Sequence, residues 1–165
     1  MIYSNNRLEV PIGAGVQSRA PMIIYTKTVA TCLGLGFYQP ATKEGSLYHI
    51  AGAEDSSVDV LREVVNTEVR RLGSGLYVRF VSGLATIDPK TQKEIRQARS
   101  KARKILDDNR SVFTQVNQDC CEVPGEYIEY FSLDCRDGRF TVRKEIYPRE
   151  LLAAAERLYD EVFSR

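Results

Sequence analysis

His49 is the only histidine in the 165 residues, so any imidazole chemistry in this chain belongs to it. Four cysteines, Cys32, Cys120, Cys121 and Cys135, are the available thiols. Cys32 stands in the run MIIYTKTVATCLGLGFY, where the following glycines permit a tight backbone and close approach of a substrate. A thiol beside an imidazole can form an ion pair, which lowers the thiol pKa and supplies thiolate near neutral pH. The spacing from Cys32 to His49 accommodates a strand, a turn and a returning strand, and a hairpin of that kind can set both side chains on one face. Residue type and spacing also fit a blander reading, in which both are buried β-segment residues with no chemistry.

The other cysteines have no C-x-x-C spacing and no disulfide framework, and Cys120 and Cys121 are adjacent, a geometry that bridges only under strain. With a single histidine, a four-ligand zinc site would need scattered residues. No metal and no cofactor is expected. Cys120, Cys121 and Cys135 remain lesser candidates for the nucleophile.

These residues need elements to position them. Residues 1–21, with the Gly-, Pro- and Ser-rich stretch PIGAGVQSRAP, read as an N-terminal arm or loop. Residues 22–165 read as the functional domain. Met22 to Tyr38 form two strand segments joined near Cys32, and SLYHIAG is a short strand with Leu47, His49 and Ala51 on one face. Ser56 or Ser57 is a candidate cap for a helix carrying Leu61, Val64, Val65, Val69 and Leu72, which Gly73 ends. LYVRFVSGLATI is a strand. Asp88-Pro89 opens a second helix, reaching to about Asn109, that buries Ile95, Ala98, Ala102, Ile105 and Leu106. Its opposite face is basic, with Lys90, Lys93, Arg96, Arg99, Lys101, Arg103 and Lys104, and is read as solvated. VFTQV is a strand, EYIEYFSLD and GRFTVRKEIY a hairpin, and the segment from Pro148 an amphipathic helix with Leu151, Leu152, Ala155, Leu158, Val162 and Phe163 as its apolar set. Interleaved helices with strands in adjacent pairs predict a layered α/β sandwich with mixed or antiparallel pairing.

Apolar residues are 43% of the chain and charged residues 27%, and 23 basic residues nearly balance 22 acidic ones. That balance gives no argument for a nucleic-acid partner. The first residues carry no apolar signal core, and no run approaches the length that spans a bilayer, so a cytoplasmic protein without membrane insertion is expected. Secretion as an effector by another route would leave no mark of this kind.

The stretch TKTVATCLGLGFYQPATKEGSLYHI resembles the catalytic stretch of CheD, the chemoreceptor glutamine deamidase family. That family shows T-L-G-L-G-S-C, an apolar strand, a D-P turn and G-G-x-x-H. Cys32 falls on the family nucleophile, His49 on its histidine and Thr26 on the threonine that completes the catalytic group. The likeness runs more loosely through the helix at 57–72, LYVRFVSG, the helix at 90–108 and FSLDCRDGRFTVRK. Cytotoxic necrotizing factor toxins have a similar Cys–His core. The framing departs from the family: Ala30-Thr31 stands for its Gly-Ser, Gln39-Pro40 for its Asp-Pro, and Ala51-Gly52-Ala53 for its x-L-P.

The resemblance implies a cysteine-dependent protein-glutamine deamidase. Its substrate would be a protein, either a chemoreceptor-like helix or a host protein, and the oligomeric state is left open. Within the enzymes, transglutamination is the neighbouring chemistry. Outside them, the alternative is a CheD-like scaffold that has lost turnover and binds a regulatory or receptor helix.

Overall fold

The computed structural model describes residues 6–163 and forms two β-sheets stacked face to face, with two of its three helices on the outside of one of them. The strands are β1 (Arg7–Glu9), β2 (Ala14–Arg19), β3 (Ile23–Val29), β4 (Leu33–Gln39), β5 (Glu44–Ile50), β6 (Leu76–Ser82), β7 (Phe113–Cys120), β8 (Glu126–Asp134) and β9 (Arg139–Ile146). The helices are α1 (Asp55–Leu72), α2 (Pro89–Asp108) and α3 (Arg149–Phe163). One sheet has the order β1-β3-β8-β9 and the other β2-β5-β4-β6-β7. Both are mixed, since β1 runs parallel to β3 and β6 parallel to β7 while the remaining pairs are antiparallel. The expected α/β sandwich with mixed pairing is what the chain forms.

The two strands on either side of Cys32 belong to different sheets: β3 lies in the four-stranded sheet and β4 in the five-stranded one. The bend at residues 30–32 is therefore the crossing between layers. Alternation then decides what each side of β4 faces. Leu33, Leu35 and Phe37 look toward the helices, while Gly34 and Gly36 look toward the other sheet. A Cβ at Gly34 would overlap the Val81 side chain, and one at Gly36 would overlap the Phe140 ring. Glycine at these two positions lets Phe131 and Phe140, whose rings stack at 6.1 Å, press onto the backbone of β4.

The arm expectation for residues 1–21 is corrected by two strands within it. β1 lies along β3, and β2 pairs with β5 through six residues, from Ala14 opposite His49 to Arg19 opposite Glu44. Their partners are non-local, and the Gly and Pro residues around them mask the strand signal. Residues 1–5 lie outside the described part of the arm. Glu68 of α1, fully buried, fastens this edge: it accepts hydrogen bonds from Tyr48 Oη at 2.5 Å, Gln17 Nε2 at 2.9 Å and Arg71 at 2.6 Å. Burial, followed by the Glu68 hydrogen bond, pushes the Tyr48 phenol up to about 12.

Helix α1 begins at Asp55, with Glu54 as the N-cap rather than Ser56 or Ser57. Ser57 sits in the first turn, where its hydroxyl receives the Glu54 N–H and donates to the Ala51 carbonyl at 2.8 Å. Asp88 caps α2 as expected, accepting from the Thr91 N–H at 2.8 Å.

Arg99 is not on the solvated face. It lies one helical turn from both Ile95 and Ala102, on the inward side, and is 2% exposed. Its guanidinium donates to Ser82 Oγ at 3.0 Å and to the carbonyls of Gly83 at 2.8 Å, Cys121 at 2.6 Å and Ser82 at 3.2 Å. Helix α3 also departs from expectation. Of its apolar set only Leu152 is buried, and Leu151, Leu158, Val162 and Phe163 are exposed. The body holds this helix through Leu152 and through Glu156, which accepts from Thr86 Oγ1 and the Ile87 N–H at 3.0 Å each.

Candidate active site

The β4–β5 hairpin brings the two predicted residues together. Leu33 pairs with Ile50 and Gly34 with His49. Cys32 is the residue before β4, so continuing the register sets it beside Ala51 and on the same face as His49. Diagonal neighbours across an antiparallel pair lie roughly 7–8 Å apart at the backbone. The Gly52 N–H, one residue past Ala51, faces the Cys32 thiol and favours its thiolate, in keeping with a thiol at this end of the hairpin.

Thr26 comes from the opposite sheet. It stands on β3 opposite Phe131 of β8 and is 1% exposed. Its Oγ1 lies 2.8 Å from His49 Nδ1 and donates to the Val10 carbonyl at 2.8 Å. The inward side of β3 is Ile24, Thr26 and then Val29; Thr28, at φ 56, takes the left-handed region and breaks the alternation. Opposite it, β8 carries a register shift between Ile128 and Tyr130. Thr28 and Thr31, the other threonines near the site, form no hydrogen bond to His49 among the described residues; Thr28 is exposed.

His49 is fully buried. Its Nε2 has no hydrogen-bond partner among the described residues. Burial lowers its pKa from 6.5, which favours the neutral ring at neutral pH. Cys32 is half-buried. Burial pushes its thiol above 9.0, opposed by the backbone N–H groups of Gly52 and Thr31, which favour the thiolate. Burial thus works against the expected thiolate–imidazolium ion pair and favours the neutral thiol and the neutral imidazole. Desolvation disfavours both charged forms, and no hydrogen bond joins Sγ to Nε2 to offset it. Chemistry from this state needs the proton to move as the sulfur attacks.

The other thiols are less suited. Cys120, Cys121 and Cys135 are buried, and burial pushes Cys121 and Cys135 up to about 11. Among the described residues no three His, Cys, Asp or Glu side chains gather to hold a metal ion. On the helix side of β5 a cleft of about 440 Å³ is lined by Gly15, Tyr48, Ile50, Ser57, Val60 and Val64 and reaches Ala51, the neighbour of Gly52.

Sequence reasoning missed two backbone contributions. The Gly52 N–H lies on a left-handed residue, φ 72, and the only sequence signal for it is a glycine just beyond the strand. The Val10 carbonyl has no signal at all, because any residue supplies one.

The fold and site together define a two-sheet α/β sandwich with a threonine–histidine pair buried between the sheets and a thiol at the crossing. No protein-family model matches the chain, and no curated protein does. Among solved structures it is similar to hypothetical protein YfiH of Bacillus licheniformis, at 16% identity and a TM-score of 0.44 over 64% of this chain and 49% of that one. Protein NMB0706 of Neisseria meningitidis, described as DUF152, gives 13% identity and a TM-score of 0.42 over 70% and 62%. YlmD of Geobacillus stearothermophilus gives 15% and 0.40 over 64% and 50%. The chain spans between 49% and 62% of the length of these proteins. None of the three is described as a chemoreceptor deamidase or a necrotizing factor. Among the described residues no helix is long and apolar enough to cross a membrane.

Proposed function

We propose that this chain is a cysteine-dependent protein-glutamine deamidase of CheD-like chemistry. The observation that carries the reading is the 2.8 Å hydrogen bond between Thr26 and His49, which orients the one imidazole of the chain on the face that carries Cys32. A buried imidazole takes a hydrogen bond in either reading; the feature that favours chemistry is Nε2, left without a partner among the described residues.

In this reading Nε2 takes the thiol proton as Sγ attacks the side-chain carboxamide carbon of a glutamine. The backbone N–H groups of Gly52 and Thr31 lie beside the sulfur and are the donors available to the developing oxyanion. The imidazolium returns the proton to the departing nitrogen, which leaves as ammonia and a thioester remains. Nε2 then removes a proton from water, the hydroxide oxygen adds to the thioester carbon, and the thiol departs to leave glutamate. No cofactor enters these steps. The target is a protein segment, either a chemoreceptor-like helix or a host protein.

The test incubates the wild-type chain and Cys32→Ser with bacterial and host-cell extracts and maps peptides for glutamine-to-glutamate conversion. Conversions that require Cys32 support the deamidase. Incorporation of an added amine in place of water would make the enzyme a transglutaminase. No Cys32-dependent conversion, with Cys32 inert to iodoacetamide even at alkaline pH, would leave the binding scaffold.

A further inference from the structure

We infer that the N-terminal segment sets the proton position on His49: the Val10 carbonyl holds the Thr26 proton, Thr26 receives the Nδ1 proton, and Nε2 is left as the bare lone pair. Val10 is thereby a positioning residue that acts through Thr26 with its main chain.

The argument is one of counting donors. A threonine hydroxyl has one proton, and a carbonyl only accepts. Val10 O and His49 Nδ1 both lie 2.8 Å from Thr26 Oγ1. With the Thr26 proton on Val10, both contacts are hydrogen bonds only if Nδ1 carries a proton. The reverse arrangement, with Thr26 donating to Nδ1, faces the hydroxyl lone pairs against the Val10 carbonyl. It also puts the ring proton on Nε2, which is buried with no acceptor. That leaves two buried groups unsatisfied where the first arrangement leaves one, and the first wins.

The segment is itself clamped to the site from both ends. β1 pairs with β3, Val10 N–H donates to the Tyr25 carbonyl at 2.8 Å, and Gly13 N–H donates to the carbonyl of His49 itself at 2.7 Å. Val10 is 2% exposed, while Ile12 is 62% exposed, so the segment dips into the sandwich at Val10 and returns to the surface before β2. This arrangement rests on the proposed function only in giving Nε2 the role of base; the proton position stands independently of turnover.

Because His49 is the sole histidine, nitrogen-15 histidine labelling reports one ring without assignment. Long-range proton–nitrogen correlation spectra of the full chain at about pH 8, above the ordinary histidine range, distinguish the two tautomers. Wild type is expected to show Nδ1 protonated and Nε2 bare. Thr26→Val should lose this preference and Thr26→Ser should restore it. Val10→Asp places a charge that the interior rejects and so expels the segment. It should give signals averaged between the tautomers while Thr26 is unchanged. A wild-type ring protonated on Nε2 overturns the inference, as does a folded Val10→Asp chain with the wild-type spectrum. If Val10→Asp does not fold, the wild-type spectrum and the two Thr26 variants decide. A bare Nε2 in a chain that converts no glutamine would sink the deamidase and leave the proton assignment standing.

Discussion

Thr26 Oγ1 and His49 Nδ1 meet at 2.8 Å across the interface between the two sheets, one side chain from each. Most of that interface is apolar, with Phe131 packed against the glycines of β4. The contact therefore makes the relative placement of the sheets a condition of the site's geometry. Anything that slides one sheet past the other moves the threonine off the ring.

Thr26→Val, which keeps the shape and removes the hydroxyl, is expected to leave the Val10 carbonyl and His49 Nδ1–H unpaired in the interior. A buried group left unsatisfied costs roughly 1–3 kcal/mol, and urea unfolding should show a loss of at least that size. Deamidase turnover should fall by more than the folded fraction does. Thr26→Ser should recover most of both.

Reactivity of Cys32 with iodoacetamide is expected to be slow at neutral pH and to rise as the pH passes above 9.0, because burial holds the thiol up. The activity profile should look different. A neutral thiol with a neutral base is the competent state, so kcat/KM should rise on an acid limb below 6.5 and run flat through neutrality. Fast alkylation at neutral pH would instead reveal an ion pair.

The buried imidazole also makes stability depend on acidity. In the unfolded chain His49 takes a proton near 6.5, while in the fold burial resists it. The unfolded state then binds more protons as the pH drops below about 6.5, so stability falls from there down to the folded-state pKa and levels beneath it. Thermal unfolding of wild type and His49→Gln on either side of 6.5 checks this, with the variant showing the smaller difference.

The thiols work at the other end of the scale. Cys121 and Cys135 ionise at about 11 in the fold and near 9.0 when unfolded. Stability that is complete below 9.0 is expected to decline as the pH rises from 9.0 toward 11. Serine at both positions should flatten the decline while lowering stability at neutral pH.

Arg99→Met is expected to destabilise the fold by about 1–3 kcal/mol. Losing a desolvated charge is favourable, but the carbonyls of Ser82, Gly83 and Cys121 lose their donor together. Gly83 packs directly on the main chain of Val29 and Ala30, at the crossing that holds Cys32. The variant should therefore also change the rate of Cys32 alkylation at a fixed pH above 9.0, measured on the folded protein.

The α/β class, the β4–β5 hairpin, the capped start of α2 and the β8–β9 hairpin were legible in the sequence because each is local. Alternation, turn residues and caps act over a few neighbours. Local register also put Cys32 and His49 on one face, since a hairpin needs no distant information to align its strands. Other features were decided only in three dimensions. β1 and β2 are strands because β3 and β5 offer them edges, and their own residues signal a loop. Arg99 reads as one more surface cation until β6 and Cys121 surround it with carbonyls. The shared face of Cys32 and His49 was a matter of sequence. Their charge state depends on burial between two sheets, and no residue type encodes burial by itself.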